Sequence, residues 1–182
     1  MENCYLIENG VLKSYFNKDE KDIVIPQGVK RIAGDVSKED LKTKRERKGE
    51  IEIESFFYSP FMRNTNIETV TMSDSVQIVG SKAFEHCSSL RKVIFSKNLK
   101  EIKIMAFMGT KLSEIQLPEG VTKVGTFAFD LIPTLKSVTL PKSLIEIGDN
   151  SFSLNKDLVI KAPKGSYAIE YAKKYNINFI EL

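Results

Sequence analysis

His86 and Cys87 adjoin in the chain, and side chains of these types could do nucleophilic chemistry, the imidazole taking the thiol's proton. Neighbouring residues seldom turn their side chains toward each other, and no third group stands ready to orient the imidazole. His86 is the single histidine, so no His-x-x-x-His spacing can hold a metal. Cys4 and Cys87 are the only cysteines and lie far apart, which fits neither a disulfide framework nor a zinc site. Cys87 is expected to pack in a turn as a small apolar residue. Glu101, Glu114, Glu119 and Glu146 could act as a glycosidase pair only if two of them faced each other across a cleft, about 5–10 Å apart. No phosphate-cradling glycine loop and no nucleophile elbow occurs. The sequence assigns no catalytic residue, no metal ligand and no cofactor.

These residues sit at positions that recur. His86 stands where Arg63, Gly109, Leu131 and Leu154 stand in neighbouring segments, and the carboxylates follow the same rhythm, so they trace surface stripes and do not converge. Beneath the rhythm lie Phe61, Phe84, Phe107, Phe129 and Phe152, spaced 23, 23, 22 and 23 residues apart. A period of this length marks a stack of small similar coils.

Each coil opens with apolar residues two apart: Val70 and Met72, Val93 and Phe95, Ile115 and Leu117, Val138 and Leu140. That alternation predicts a strand with one buried face. A turn signal follows at Pro26, Ser73, Ser96, Pro118, Pro141 and Pro163, where proline withholds an N–H from the ladder. Apolar pairs three apart come next, such as Val76 and Val79, or Val121 and Val124. Glycine often follows, at Gly80, Gly125 and Gly148, and is expected to supply a backbone angle other residues adopt at a cost. Alanine then precedes the phenylalanine, and Ile67, Leu90, Leu112, Leu135 or Leu158 closes the coil. One coil cannot bury its apolar side alone; stacking supplies the missing wall. Strands of successive coils are expected to form one parallel sheet at about 4.8 Å spacing, with the phenylalanines as an internal ladder.

The fold class expected is an α/β solenoid: about five to six coils with a parallel β-sheet face, an N-terminal hairpin cap and a C-terminal helix–strand cap. The chain reads as a single domain, with a cap over residues 1–20, repeats over 21–162 and a cap over 163–182. Asn9-Gly10 signals the hairpin. Ser166 is expected to cap a helix whose Tyr167, Ala168, Tyr171, Ala172 and Tyr175 face the stack. A degenerate charged coil falls around 35–56: Lys44 to Lys48 occupy the strand position, and Ser37 stands where phenylalanine belongs.

The series strand–proline–Val–Ile-Gly–Ala-Phe–Leu, in fixed register from about Ile23 to Pro163, resembles the BspA-type leucine-rich repeat. The ends, IENGVLKSYF and GSYAIEYAKKYNINF, resemble the closing segments of that family. The resemblance implies a non-enzymatic binding protein, bacterial or protist, secreted or displayed at the cell surface, with adhesins among its members.

Charge and composition narrow the partners. The chain of 182 residues is 42% apolar and 28% charged, with a net charge of +3. So small a surplus gives no global pull toward nucleic acid, and no apolar run is long enough to insert in a membrane. The opening MENCYLIENG has no basic head and apolar stretch, so it reads as lacking a signal peptide; the chain is then cytoplasmic, or secreted with its leader already removed. Outward strand positions give the candidate binding face: Thr69, Thr71, Lys92, Ile94, Glu114, Gln116, Ser137 and Thr139. Its expected ligand is a protein or a surface glycan, bound by a monomer, with Ile94 the lone aliphatic side chain on the face. The alternative is a cytoplasmic scaffold that meets its partner through the basic segment from Lys38 to Lys48, which has no interleaved aromatic for nucleic acid.

Overall fold

In the structure, a computed structural model that describes residues 4–32, 59–152 and 157–182, the chain enters through the expected hairpin. β1 (Tyr5–Glu8) and β2 (Val11–Tyr15) pair antiparallel across Asn9 and Gly10, both at positive φ as an Asn-Gly turn requires. Among the described residues, coils with two strands apiece follow. They are β3 (Asp22–Ile25) with β4 (Arg31–Ile32), β5 (Thr69–Met72) with β6 (Ile78–Val79), and β7 (Lys92–Ile94) with β8 (Glu101–Ile102). Next come β9 (Glu114–Gln116) with β10 (Lys123–Val124), and β11 (Ser137–Thr139) with β12 (Glu146–Ile147). The last coil supplies β13 (Val159–Ala162), then helix α1 (Tyr167–Lys174) and β14 (Asn178–Glu181).

The solenoid has two β walls where the sequence pattern suggested one. The apolar pairs three apart each end in a two-residue strand, and these stack parallel as β2-β4-β6-β8-β10-β12, with β1 outermost. Their inward residues Ile32, Val79, Ile102, Val124 and Ile147 are buried. The second wall, expected to be continuous, is interrupted. It consists of β3-β5-β7 and, separately, β9-β11-β13-β14.

Between the walls stand the phenylalanines. Phe61, Phe84, Phe107, Phe129 and Phe152 are fully buried, and consecutive rings are parallel with centroids 5.0, 5.2, 5.3 and 5.6 Å apart. Tyrosines extend this column at both ends. Tyr15 lies 5.0 Å from Phe61, and Tyr171 of α1 meets Phe152 edge-on at 6.3 Å. The caps therefore continue the core and also close it. Burial raises the pKa of Tyr171, and helped by its hydrogen bond to Glu20 it raises that of Tyr15 as well.

β3 pairs directly with β5, Asp22 opposite Thr69, and β4 with β6. The charged coil expected around 35–56 lies outside the described residues.

The glycines that follow the apolar pairs, Gly125 and Gly148, act by close approach and not through a special angle. Gly125 and Gly148 have ordinary φ, but a Cβ on Gly148 would fall 2.3 Å from the Thr126 nitrogen, and one on Gly125 2.6 Å from the Ile104 nitrogen. The positive φ falls on other residues, twice per coil. Lys82, Met105, Phe127 and Asn150 form one series; Arg63, His86, Gly109 and Leu131 form the other. These corners bracket the buried Ala-Phe pair and turn the chain sharply at both sides of it.

The C-terminal cap departs from expectation in two side chains. Ala168, Ile169, Tyr171 and Ala172 are buried, whereas Tyr167 is exposed. Ser166 holds the N-cap position with extended backbone, but its hydroxyl makes no cap bond and is buried without a partner. Phe107→Ala is expected to lower unfolding stability by about 3–5 kcal/mol, and Gly148→Ala by about 1–3 kcal/mol. Ser166→Ala should change it by less than about 0.5 kcal/mol, since no bond is lost. Urea unfolding followed by circular dichroism measures all three.

Candidate functional site

Because side chains alternate along a strand, the polar residues flanking each buried one point away from the core, and parallel pairing aligns them in rows. One row runs Asp22, Thr69, Lys92, then Glu114, Ser137, Val159. The other runs Val24, Thr71, Ile94, then Gln116, Thr139, Lys161 and Ile180. All eight candidate residues thus share one side of the solenoid, four on each part of the interrupted sheet. Lys92, Ile94, Glu114 and Gln116 are exposed; Thr69, Thr71, Ser137 and Thr139 are half-buried. Thr69 Oγ1 donates to Asp22 Oδ1 at 2.6 Å, which fixes its rotamer. Ile94 is not the lone aliphatic on this face. It is 49% exposed, and Val24 at 61% and Ile180 at 49% lie in the same row.

A change of coil length accompanies the interruption without being sufficient for it. From Phe84 to Val93 and from Phe129 to Val138 there are nine steps, and from Phe107 to Ile115 eight. From Phe152 to Ile160 there are also eight, and there β11 and β13 pair. Elsewhere the chain entering a strand bonds its predecessor at equivalent places, Arg91 N–H to Glu68 C=O and Lys136 N–H to Ser113 C=O. At the shortened coil the link is Lys111 N–H to Leu90 C=O, 2.8 Å, and no ladder joins β7 to β9. A larger side chain also stands here: Phe95 occupies the place of Met72, Leu117 and Leu140 and packs edge-on against Phe107 at 5.7 Å.

A groove of about 760 Å³ opens on this seam. Val93, Phe95, Ile115 and Pro118 give it apolar surface, and Arg91, Lys92, Lys161 and Glu114 are its charged lining. Sequence reasoning placed Lys92, Ile94, Glu114, Gln116, Ser137 and Thr139 on this side, and all six line the groove. It missed Arg91, Phe95 and Lys161. The available signal was the single spacing of 22 among spacings of 23.

The residues whose chemistry opened the sequence reading are kept apart. Cys87 is buried, and its thiol donates to the Phe61 carbonyl at 3.0 Å. Burial pushes this thiol up to about 12, opposed by a backbone N–H from Asn64. His86 is exposed, on a positive-φ corner beside Gly109, where its ring occupies the space a side chain there would need. Glu101 and Glu146 flank Lys123 on the other wall, with Lys123 Nζ 3.0 Å from Glu146, while Glu114 lies on the candidate face. Among the described residues no His, Cys, Asp or Glu cluster could hold a metal ion, and no helix is long and apolar enough to cross a membrane. The basic segment 38–48 lies outside the described residues.

Residues 53–176 match the BspA-type leucine-rich repeat region, in six copies. The chain belongs to that family. The BspA-type match begins later than the sequence series, which starts at about Ile23, and runs on through α1. Similar solved structures include a leucine-rich repeat protein of T. pallidum, with 21% identity over 83% of this chain and 62% of that one, TM-score 0.61. The pneumococcal vaccine antigen PcpA is 17% identical over 98% of this chain and 45% of its own, TM-score 0.65. A leucine-rich repeat protein from Eubacterium ventriosum is 18% identical over 85% and 37%, TM-score 0.61. At these identities the likeness is one of fold. The chain spans less than two thirds of the length of each. Among curated proteins none matches it.

The BspA-type core makes a chemical prediction about its thiol. Because the folded pKa of Cys87 lies above the ordinary value near 9, folding favours the neutral thiol. That contribution is complete below pH 9 and is lost as pH rises from 9 toward about 12. Iodoacetamide applied to native protein should alkylate Cys4 and spare Cys87, as read by peptide mass spectrometry. Alkylation of both at equal rates contradicts the burial.

Proposed function

We propose that this chain is a non-enzymatic binding module that recognises a protein or a surface glycan through the interrupted sheet face. The observation that carries the reading is the register: outward residues of successive coils fall in two straight rows, with charged side chains left exposed at their centre. Solenoids present extended surfaces of this sort to macromolecular partners. The thiol that could have served as a nucleophile is buried and neutral. Glu101 and Glu146, which share a wall, have Lys123 between them, while Glu114 lies on the other wall. Membership of the BspA-type family supports an adhesin-like role at the cell surface or after secretion. So does likeness in fold to a protein named as a pneumococcal vaccine antigen. The caps at both ends, built as continuations of the aromatic column, support action as a monomer.

The test is an array of immobilised extracellular-matrix proteins and glycans probed with the wild type and with a Thr71→Lys, Thr139→Lys double variant. Both substitutions sit at half-exposed places away from the core, so folding should survive, as checked by thermal melting. Loss of most of the wild-type signal in the variant is expected. Full retention of that signal, or a wild type that binds nothing on the array, contradicts the proposal.

A further inference from the structure

Resting on the reading that this face binds, we propose that the seam between β7 and β9 takes up an extended, acidic polypeptide segment as an added strand. Two strand edges border one groove, and neither has a ladder partner on that side. Leu117 N–H bonds Thr139 on β11, so by alternation Glu114 and Gln116 turn their backbone groups toward the seam. On β7, Val93 stands at the place equivalent to Ile115 of β9 and turns its own the same way. The occupant that meets both edges must itself carry N–H and C=O groups at strand spacing, which an extended peptide does and a sugar chain does not. The groove of about 760 Å³ lies within the range of about 300–1,000 Å³ typical of ligand sites.

Charge selects the kind of peptide. Arg91, Lys92 and Lys161 line the groove against Glu114 alone, and Lys111 and Lys136 stand exposed beside it. Among the described residues none of these five cations is held in an ion pair. Apolar surface at Val93, Phe95 and Pro118 can take alternate side chains of the added strand. The segment that fits alternates acidic and β-branched residues.

The probe is a fluorescein-labelled peptide, Thr-Glu-Val-Glu-Val-Glu-Val-Thr, titrated by fluorescence anisotropy with the intact chain. Saturable binding is expected, weakened about tenfold or more by Lys92→Glu with Lys161→Glu, and abolished when alternate peptide amides are N-methylated. A second variant inserts one glycine between Thr110 and Lys111 and carries Phe95→Leu, giving this coil both the nine steps and the side chain of the paired coils. It should close the ladder, melt no lower than the wild type and release the peptide. Equal peptide binding by the folded insertion variant overturns the proposal, as does unchanged binding by the charge-reversed protein if insertion prevents folding. Binding of a heparin fragment but not the peptide makes the occupant a sulfated glycan and also overturns it. So does a wild-type dimer that excludes the peptide. These outcomes leave the wider reading standing, because Thr71 and Thr139 bear on the whole face, whereas the insertion alters only the seam.

Discussion

Ring-on-ring packing sets the pitch of this molecule. Parallel phenylalanine rings cannot approach much closer than their centroid spacing of 5.0–5.6 Å, and neighbouring hydrogen-bonded strands lie about 4.7–4.9 Å apart. The two distances nearly coincide, so one ring per coil and one strand per coil can be stacked without conflict. Alanine before Phe84, Phe107 and Phe129 keeps the adjoining space narrow, and the glycines at 125 and 148 let one backbone lie directly on the last. Everything else is arranged around that column, including caps that add Tyr15 at one end and Tyr171 at the other.

A rigid column constrains what happens when a coil changes length. The short path from Phe107 to Ile115 removes one residue while the rings remain 5.3 Å apart and β8 still pairs with β10. The path from Phe152 to Ile160 is equally short and its ladder is intact, so what sets this coil apart is the shortening together with Phe95. With the core and one wall held, the misfit falls on the other wall, whose rungs are exposed and whose backbone groups water can satisfy. Each intramolecular rung contributes only about 0.5–1.5 kcal/mol net, far less than burying a ring, so the sheet parts and the column does not. The candidate site is thus the place where a short coil and the bulky Phe95 coincide.

Much of this was legible in the residues. The phenylalanine period, the hairpin at Asn9-Gly10 and the helix after Ser166 follow from local rules of burial and turn geometry. The wall of two-residue strands was not legible, since a strand such as Ile78–Val79 is too short to show alternation. The role of Gly148 was misread because close approach between coils is a tertiary fact, invisible to a rule about one residue's own φ. The unpaired Ser166 hydroxyl shows the same limit at the cap, where the position was right and the bond was not. The seam was present in the sequence as one spacing of 22, but its meaning depends on which wall yields. Lys161, which completes the basic rim, comes from two coils away and carries no local signal.

Function on this account follows from an imperfect repeat: a regular core builds a long surface, and one interruption of the sheet gives that surface a centre. The claim that the column stays closed while the sheet face opens is tested most directly by amide hydrogen exchange resolved by NMR. Across the same pair of coils, the amides of Ile102 and Val124 on the paired wall should be strongly protected, and those of Glu114 and Gln116 at the seam should exchange quickly. Leu117, bonded to Thr139, should be protected despite its neighbour. Equal protection of Glu114, Gln116 and Leu117 would mean that β9 is laddered on both sides, and the account would be wrong.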